Sequence, residues 1–243
     1  MSSTTVSSII AMEEEVKAWV KSIFDETGRD ESHGFGHAVA VWENSQKILQ
    51  GQLASGEDSR NKELSELVMC VALLHDVSDH KYDPKGHFKT RMVDMLSKYY
   101  TPDYKIDDRC VLDLILNIID RISYSKENKA RVLGKDLDWL TVLGDTGCLV
   151  RDVVSDADKL EAIGIVGVER CLEYTKESHP EYTEAECVEQ LVIHAEEKLF
   201  RLKTEFIRTD LGQALASPLH DEMVAEVARL AQLHHVSVPV RVE

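Results

Sequence analysis

The sequence predicts an all-α fold in a single domain, and three observations carry that expectation. Apolar residues recur at three- and four-residue spacing along most of the 243 residues. Apolar–polar alternation is confined to short stretches, and the terminal VSVPVRVE contains a proline that weakens any strand. No internal repeat and no low-complexity linker divides the chain.

The stripes follow one another in order. Met12, Val16, Trp19, Val20, Ile23 and Phe24 form the first, which ends at Gly28. Ala38, Val41, Trp42, Ser45, Ile48 and Leu49 form the second, which runs out at Gly51 and Gly56. A third contains Leu64, Leu67, Val68, Val71 and Leu74 and stops at His75-Asp76. Residues 88–100 and 106–122 read as two further helices separated by Thr101-Pro102-Asp103. Segment 125–147, polar and carrying WLTVLGDTG, fits no long helix. A long pattern over 148–174 is broken by SHPEYTEAE. It is followed by a stripe through Val188, Leu191, Val192, Ala195, Leu199 and Leu202, and by a last stretch over 219–233.

Composition narrows the function classes. With 44 Asp and Glu against 28 Lys and Arg, the net charge is −16 and the broad positive footprint of a nucleic-acid binder is missing. A small phosphorylated ligand needs only local cations or a bound metal, so it stays open. No apolar run approaches the ~18 residues of a membrane span, and MSSTTVSSII lacks the basic region and long apolar core of a secretory signal. Cys70, Cys110, Cys148, Cys171 and Cys187 are an odd set without CxxC spacing. They are expected to be reduced thiols in a cytoplasmic protein, with nuclear entry open.

Ionisable residues fall on several apolar faces. His37 lies four before Val41 and eleven before Ile48, and His75 follows Val71 by four and Leu67 by eight. Asp156 and Asp158 sit in VVSDADKLEAIG between Val153-Val154 and Leu160-Ile163. A lone inward histidine is usually a hydrogen-bonded core residue. Three helices each aiming imidazole or carboxylate inward point instead to a shared divalent cation, which relieves several such groups at once. Two histidines and two aspartates suit a first-row transition metal with open water positions. Metal-assisted hydrolysis uses such positions for a water of lowered pKa and for a phosphoryl oxygen.

HGFGHAVAVW, ALLHDVSDHKY and VVSDADKLEAIGIVGVER, in that order, resemble the H…HD…D pattern of the HD superfamily of metal-dependent phosphohydrolases. The third motif is similar to that of a branch containing bacterial nucleoside triphosphate pyrophosphohydrolases, as is HAEEKLFRL to its H-x-x-x-K-L-x-x-L segment. The resemblance spans about 33–208. It implies a single HD-type helical bundle over 1–243 with a mostly helical C-terminal extension.

The resemblance implies His37, His75, Asp76 and Asp158 as metal ligands. Asp156 is then an N-cap or a group behind the ligands, with its use as the fourth ligand kept as the alternative. His33 is expected in a loop or behind the ligands. Asp79 is the candidate general base, against the plain role of a helix-terminal carboxylate. Lys81, Lys159, His194 and Lys198 are candidate phosphate contacts, against exposed or ion-paired surface roles. One divalent metal is expected: manganese first, with cobalt, nickel, iron(II) or magnesium as alternatives. The implied partner is a small phosphorylated substrate, a nucleotide, with no nucleic-acid polymer and no membrane; a homo-oligomer is compatible.

The implied activity splits a nucleoside triphosphate to monophosphate and pyrophosphate through a metal-activated water. The alternatives are an HD-type nucleoside monophosphate phosphatase and a non-catalytic metal- or nucleotide-binding module. Two departures stand out. Ala40-Val41 occupies the place of the family's frequent Arg-Val pair, and segment 125–147 is longer than the bacterial pattern.

Overall fold

The computed structural model describes residues 3–29, 34–53, 55–135 and 137–237. They fold into ten α-helices, two π-helical segments and one two-stranded hairpin, so the all-α expectation holds. The chain divides into two compact units, Met1–Ala157 and Asp158–Glu243. VSVPVRVE lies almost wholly outside the described residues.

In the first unit, α1 (Ser3–Thr27), α2 (Phe35–Gln50) and α3 (Asp58–Leu74) pack together, with α3 touching both of its predecessors. The first two stripes do what their spacing dictates. Met12, Val16, Val20, Ile23 and Phe24 are buried on α1, and the whole second stripe, Ser45 included, is buried on α2. From Leu67 to Leu74 every residue of α3 is buried, so the C-terminal half of this helix is enclosed on all sides rather than amphipathic. Cys70 lies within it, its thiol pushed up to about 12 chiefly by burial. All five cysteines are free.

α4 (His87–Leu96) starts at Gly86, whose φ of 71° places it in the left-handed region. Its first amides are capped from upstream: Asp83 Oδ2 accepts Phe88 N–H at 2.9 Å and Lys89 N–H at 3.1 Å. Because Asp83 is buried, Asp83→Ala is expected to cost about 1–2 kcal/mol. Urea unfolding should show a lower midpoint at unchanged slope.

The predicted helix over 106–122 is shorter than its stripe. Lys105–Ile106 (β1) and Arg109–Cys110 (β2) pair antiparallel, and only Val111–Ile119 forms α5. Asp107 and Asp108 both adopt positive φ, 47° and 62°, the geometry of a two-residue hairpin turn that short acidic side chains tolerate.

Segment 125–147 is also more helical than its polarity suggested. It contributes α6 (Tyr124–Val132) and the start of α7 (Trp139–Glu161). α7 is interrupted at Gly144 (φ 67°), where an added Cβ would lie 2.6 Å from Arg109 Nη1. Arg109 in turn donates to the carbonyls of Val142 at 3.3 Å and Thr141 at 3.4 Å. The break in WLTVLGDTG is thus built around one guanidinium.

Beyond Gly144, α7 is buried on nearly every face, including Arg151. Arg151 forms an ion pair with the buried Glu127 of α6, binds Asp152 Oδ1 at 2.6 Å and donates to the Arg121 carbonyl at 3.2 Å. Its guanidinium stacks over the Trp139 ring at 3.7 Å. Trp139 is thereby packed against the Arg151 guanidinium.

In the second unit, α8 (Gly164–Ser178) packs on α9 (Glu184–His194) and α10 (Asp210–Leu233). The single pattern read over 148–174 is two helices, because Gly164 turns the chain at φ 79°. α9 opens with a capping box in which Thr183 and Glu186 each bind the other's backbone N–H. It then widens into π-helical turns over Ala195–Leu199 and Leu202–Phe206. Side chains hold these turns: Arg201 donates to the Glu197 carbonyl at 3.1 Å and pairs with Glu205 at 2.8 and 2.9 Å. The Gln213 amide donates to the carbonyls of Lys203 and Ile207, each at 2.7 Å. α10 begins well before the predicted 219, capped by Thr209, and continues through Pro218. No described helix is long and apolar enough to cross a membrane.

Candidate metal centre

Helix α3 ends where its apolar run ends, and His75 and Asp76 occupy the turn that follows. α2 lies against α3 and presents His37, in its first turn, from its buried face. His37, His75 and Asp76 therefore converge, with one ligand atom from each lying within 4.8 Å of the others. Asp76 Oδ2 is 3.8 Å from His37 Nε2, and Oδ1 is 3.5 Å from His75 Nε2. The two rings meet edge to face at 5.4 Å. Both imidazoles are almost fully buried, and the Asp76 side chain is 18% exposed.

The tautomer of His75 follows from one contact. Its Nδ1 lies 2.7 Å from the Ala72 carbonyl, which only accepts, so Nδ1 carries the proton. Nε2, on the Asp76 side, then carries the lone pair of the neutral ring. A metal-binding histidine has this arrangement, its far nitrogen donating to a backbone carbonyl. Two imidazole nitrogens and one carboxylate in this compass fit a first-row divalent cation.

Asp79 is exposed on the next turn, its backbone N–H on the Asp76 carbonyl at 3.1 Å. Its Oδ1 accepts Lys81 N–H at 2.8 Å, an Asx turn that fixes the loop. Lys81 is exposed, with Nζ 5.1 Å above the Tyr82 ring. Asp156 is buried near the C-terminal end of α7, so it is not the N-cap that the sequence allowed; that helix starts at Trp139. Asp158, two residues on and turned some 200° around the helix, is half-buried.

Asp158, Lys159, His194 and Lys198 belong to the second unit. Lys159 is only 2% exposed, an interior cation rather than one on a solvated rim. His194 and Lys198 straddle the start of the first π-helical segment. Burial, and then the Lys198 charge, hold the His194 pKa below the ordinary imidazole value, so Lys198 supplies the positive charge of this pair. His33 lies outside the described residues.

Sequence reasoning missed Arg29. Its Nη1 donates to the Asp76 carbonyl at 2.6 Å and its Nη2 to the Val77 carbonyl at 2.8 Å. The only trace in the sequence is the Gly28-Arg29 pair at the end of the first stripe.

No family model matches the chain. YpgQ of Bacillus subtilis (strain 168), an uncharacterized protein, is 27% identical over 218 residues, 89% of this chain and 91% of its own. The crystal structure of YpgQ in complex with ADP matches with a TM-score of 0.62 at 22% identity, covering 92% of this chain and 95% of that one. The crystal structure of an HD-superfamily hydrolase from Bacillus thuringiensis gives 0.61 at 17% identity, over 94% and 100% of the two chains. The fold is thus HD-like, an all-α bundle of the kind that this superfamily shares.

Proposed function

We propose that the chain is a metal-dependent phosphohydrolase of nucleotides that splits a nucleoside triphosphate into monophosphate and pyrophosphate. The observation that carries this is the His37, His75 and Asp76 cluster, with the His75 tautomer fixed by the Ala72 carbonyl. The HD-like fold supports it, as does a relative of similar length crystallised with a nucleotide, ADP. In this proposal His37, His75, Asp76 and Asp158 hold one divalent ion, manganese first among the candidates. Asp156 stands behind them or replaces Asp158. When bound, such an ion supplies Lewis acidity toward a phosphoryl oxygen and a water of lowered pKa.

The remaining roles belong to this chain's side chains. His75 keeps its proton on Nδ1, so Nε2 faces the centre as a lone-pair donor. Asp79, on the turn after Asp76, orients the attacking water and takes its proton. Lys81, Lys159, Lys198 and the neutral His194 are assigned to the phosphates, where fixed cations offset charge growing on the equatorial oxygens.

The test is a product assay on metal-stripped protein reloaded separately with manganese, cobalt, nickel or magnesium. Given a panel of nucleoside mono- and triphosphates, it is expected to release monophosphate and pyrophosphate. Nucleoside and phosphate would move the assignment to a phosphatase. Nucleotide binding without turnover under any metal would leave a non-catalytic module.

A further inference from the structure

Arg29 sits where two backbone devices meet. Gly28, at φ 58°, closes α1, and the Arg29 N–H bonds back to the Phe24 carbonyl at 3.3 Å, a turn that needs the left-handed residue glycine provides. The turn sends the Arg29 side chain toward the end of α3. There the guanidinium lies over two aromatic rings, 4.2 Å from the Phe24 centroid and 4.4 Å from that of Tyr82. Each of its three nitrogens donates: Nε to Thr27 Oγ1 at 3.2 Å, and the two terminal nitrogens to the successive carbonyls of Asp76 and Val77. These acceptors lie just past the last turn of α3, at the negative end of the helix dipole, and the Asp76 carbonyl is shared with the Asp79 N–H.

We infer that Arg29 is a positioning residue for the metal centre. By clamping the Asp76 and Val77 carbonyls it fixes the backbone from which the His75 and Asp76 side chains project toward His37. The inference rests on the proposed metal site. The function requires the fork of an arginine rather than positive charge alone: two consecutive carbonyls are bridged by separate nitrogens of one flat group that also lies over two rings, a geometry that a compact ammonium does not reproduce. A peptide held at this level sets the direction of the Asp76 carboxylate, in the way that groups behind metal ligands set ligand orientation.

The test is manganese and cobalt affinity by titration calorimetry, with the absorption spectrum of the cobalt-loaded protein, in wild type, Arg29→Lys and Tyr82→Leu. Metal-free melting temperature is measured alongside. Arg29→Lys is expected to lose roughly 10- to 100-fold in affinity with a changed cobalt spectrum. Its metal-free melting temperature should shift much less than loss of the fold would require. Tyr82→Leu keeps the fork and removes one of the two rings, so a smaller loss in the same direction is expected, and it serves should Arg29→Lys fail to fold. Wild-type affinity and spectrum in the variants would overturn the positioning role while leaving the metal site in place. Absence of divalent binding by the wild type would overturn the metal site itself, and the inference with it.

Discussion

Asp76→Ala is expected to abolish turnover and to weaken divalent-metal binding by more than about 100-fold, beyond the usual cost of altering groups behind a ligand. Asp76 reaches both histidines, with Oδ2 3.8 Å from His37 Nε2 and Oδ1 3.5 Å from His75 Nε2. Without it the cluster of His37, His75 and Asp76 is reduced to its two imidazoles. The side chain is partly solvated and its carbonyl stays clamped by Arg29, so the metal-free fold should survive. Calorimetric metal titration beside a thermal melt separates these effects. Undiminished manganese affinity in Asp76→Ala would remove Asp76 from the ligand set. Asp76→Asn, similar in size but uncharged, should behave like alanine toward metal.

The largest expected loss of stability lies elsewhere. Glu127→Ala should destabilise the protein by about 3 kcal/mol, the lower part of the range for removing one partner of a buried ion pair. Arg151 is fully buried, so its charge cannot turn to water when Glu127 is gone. Asp152 at 2.6 Å and the Arg121 carbonyl at 3.2 Å remain, which argues against the upper end. Replacing both partners, as in Glu127→Leu with Arg151→Met, should recover most of the loss, because no lone buried charge is then left behind. Denaturant midpoints for the single and double variants decide it. A double variant less stable than Glu127→Ala would show that the hydrogen bonds and ring stacking of Arg151 outweigh its desolvation.

Much of this was legible in the sequence, for a physical reason in each case. The stripes of α1 and α2 repeat at helical spacing over several turns, and apart from the half-buried Trp19 the residues they named are buried. His37 and His75 were legible because each continues such a stripe, so helical geometry alone turns them inward. The hairpin was not, since two strands of two residues are too short to show alternation. The apolar residues of 106–122 therefore read as one helix across the Asp107-Asp108 turn. Gly144 announces a break only through its φ and the neighbouring Arg109, both tertiary facts. Arg29 and Asp83 act on backbone carbonyls and amides, and such partners leave no residue type in the sequence to match. The choice between Asp156 and Asp158 follows the same rule: spacing placed both on one helix, and only packing distinguishes a buried carboxylate from a half-buried one.

The two π-helical segments after α9 have a consequence for how this protein tolerates change in length. A π turn closes its hydrogen bond one residue later than an α turn, so it stores a residue as a bulge that a regular helix would not contain. Between Glu184 and Phe206 the chain carries two such reserves, braced by Arg201, Glu205 and Gln213. Loss of a single codon here can be absorbed by relaxing one wide turn to α geometry, with α10 kept in register behind it. Divergent relatives are therefore expected to place their one-residue gaps in this stretch rather than within α3, where every position from Leu67 to Leu74 is enclosed and any gap would rotate His75 and Asp76 out of alignment.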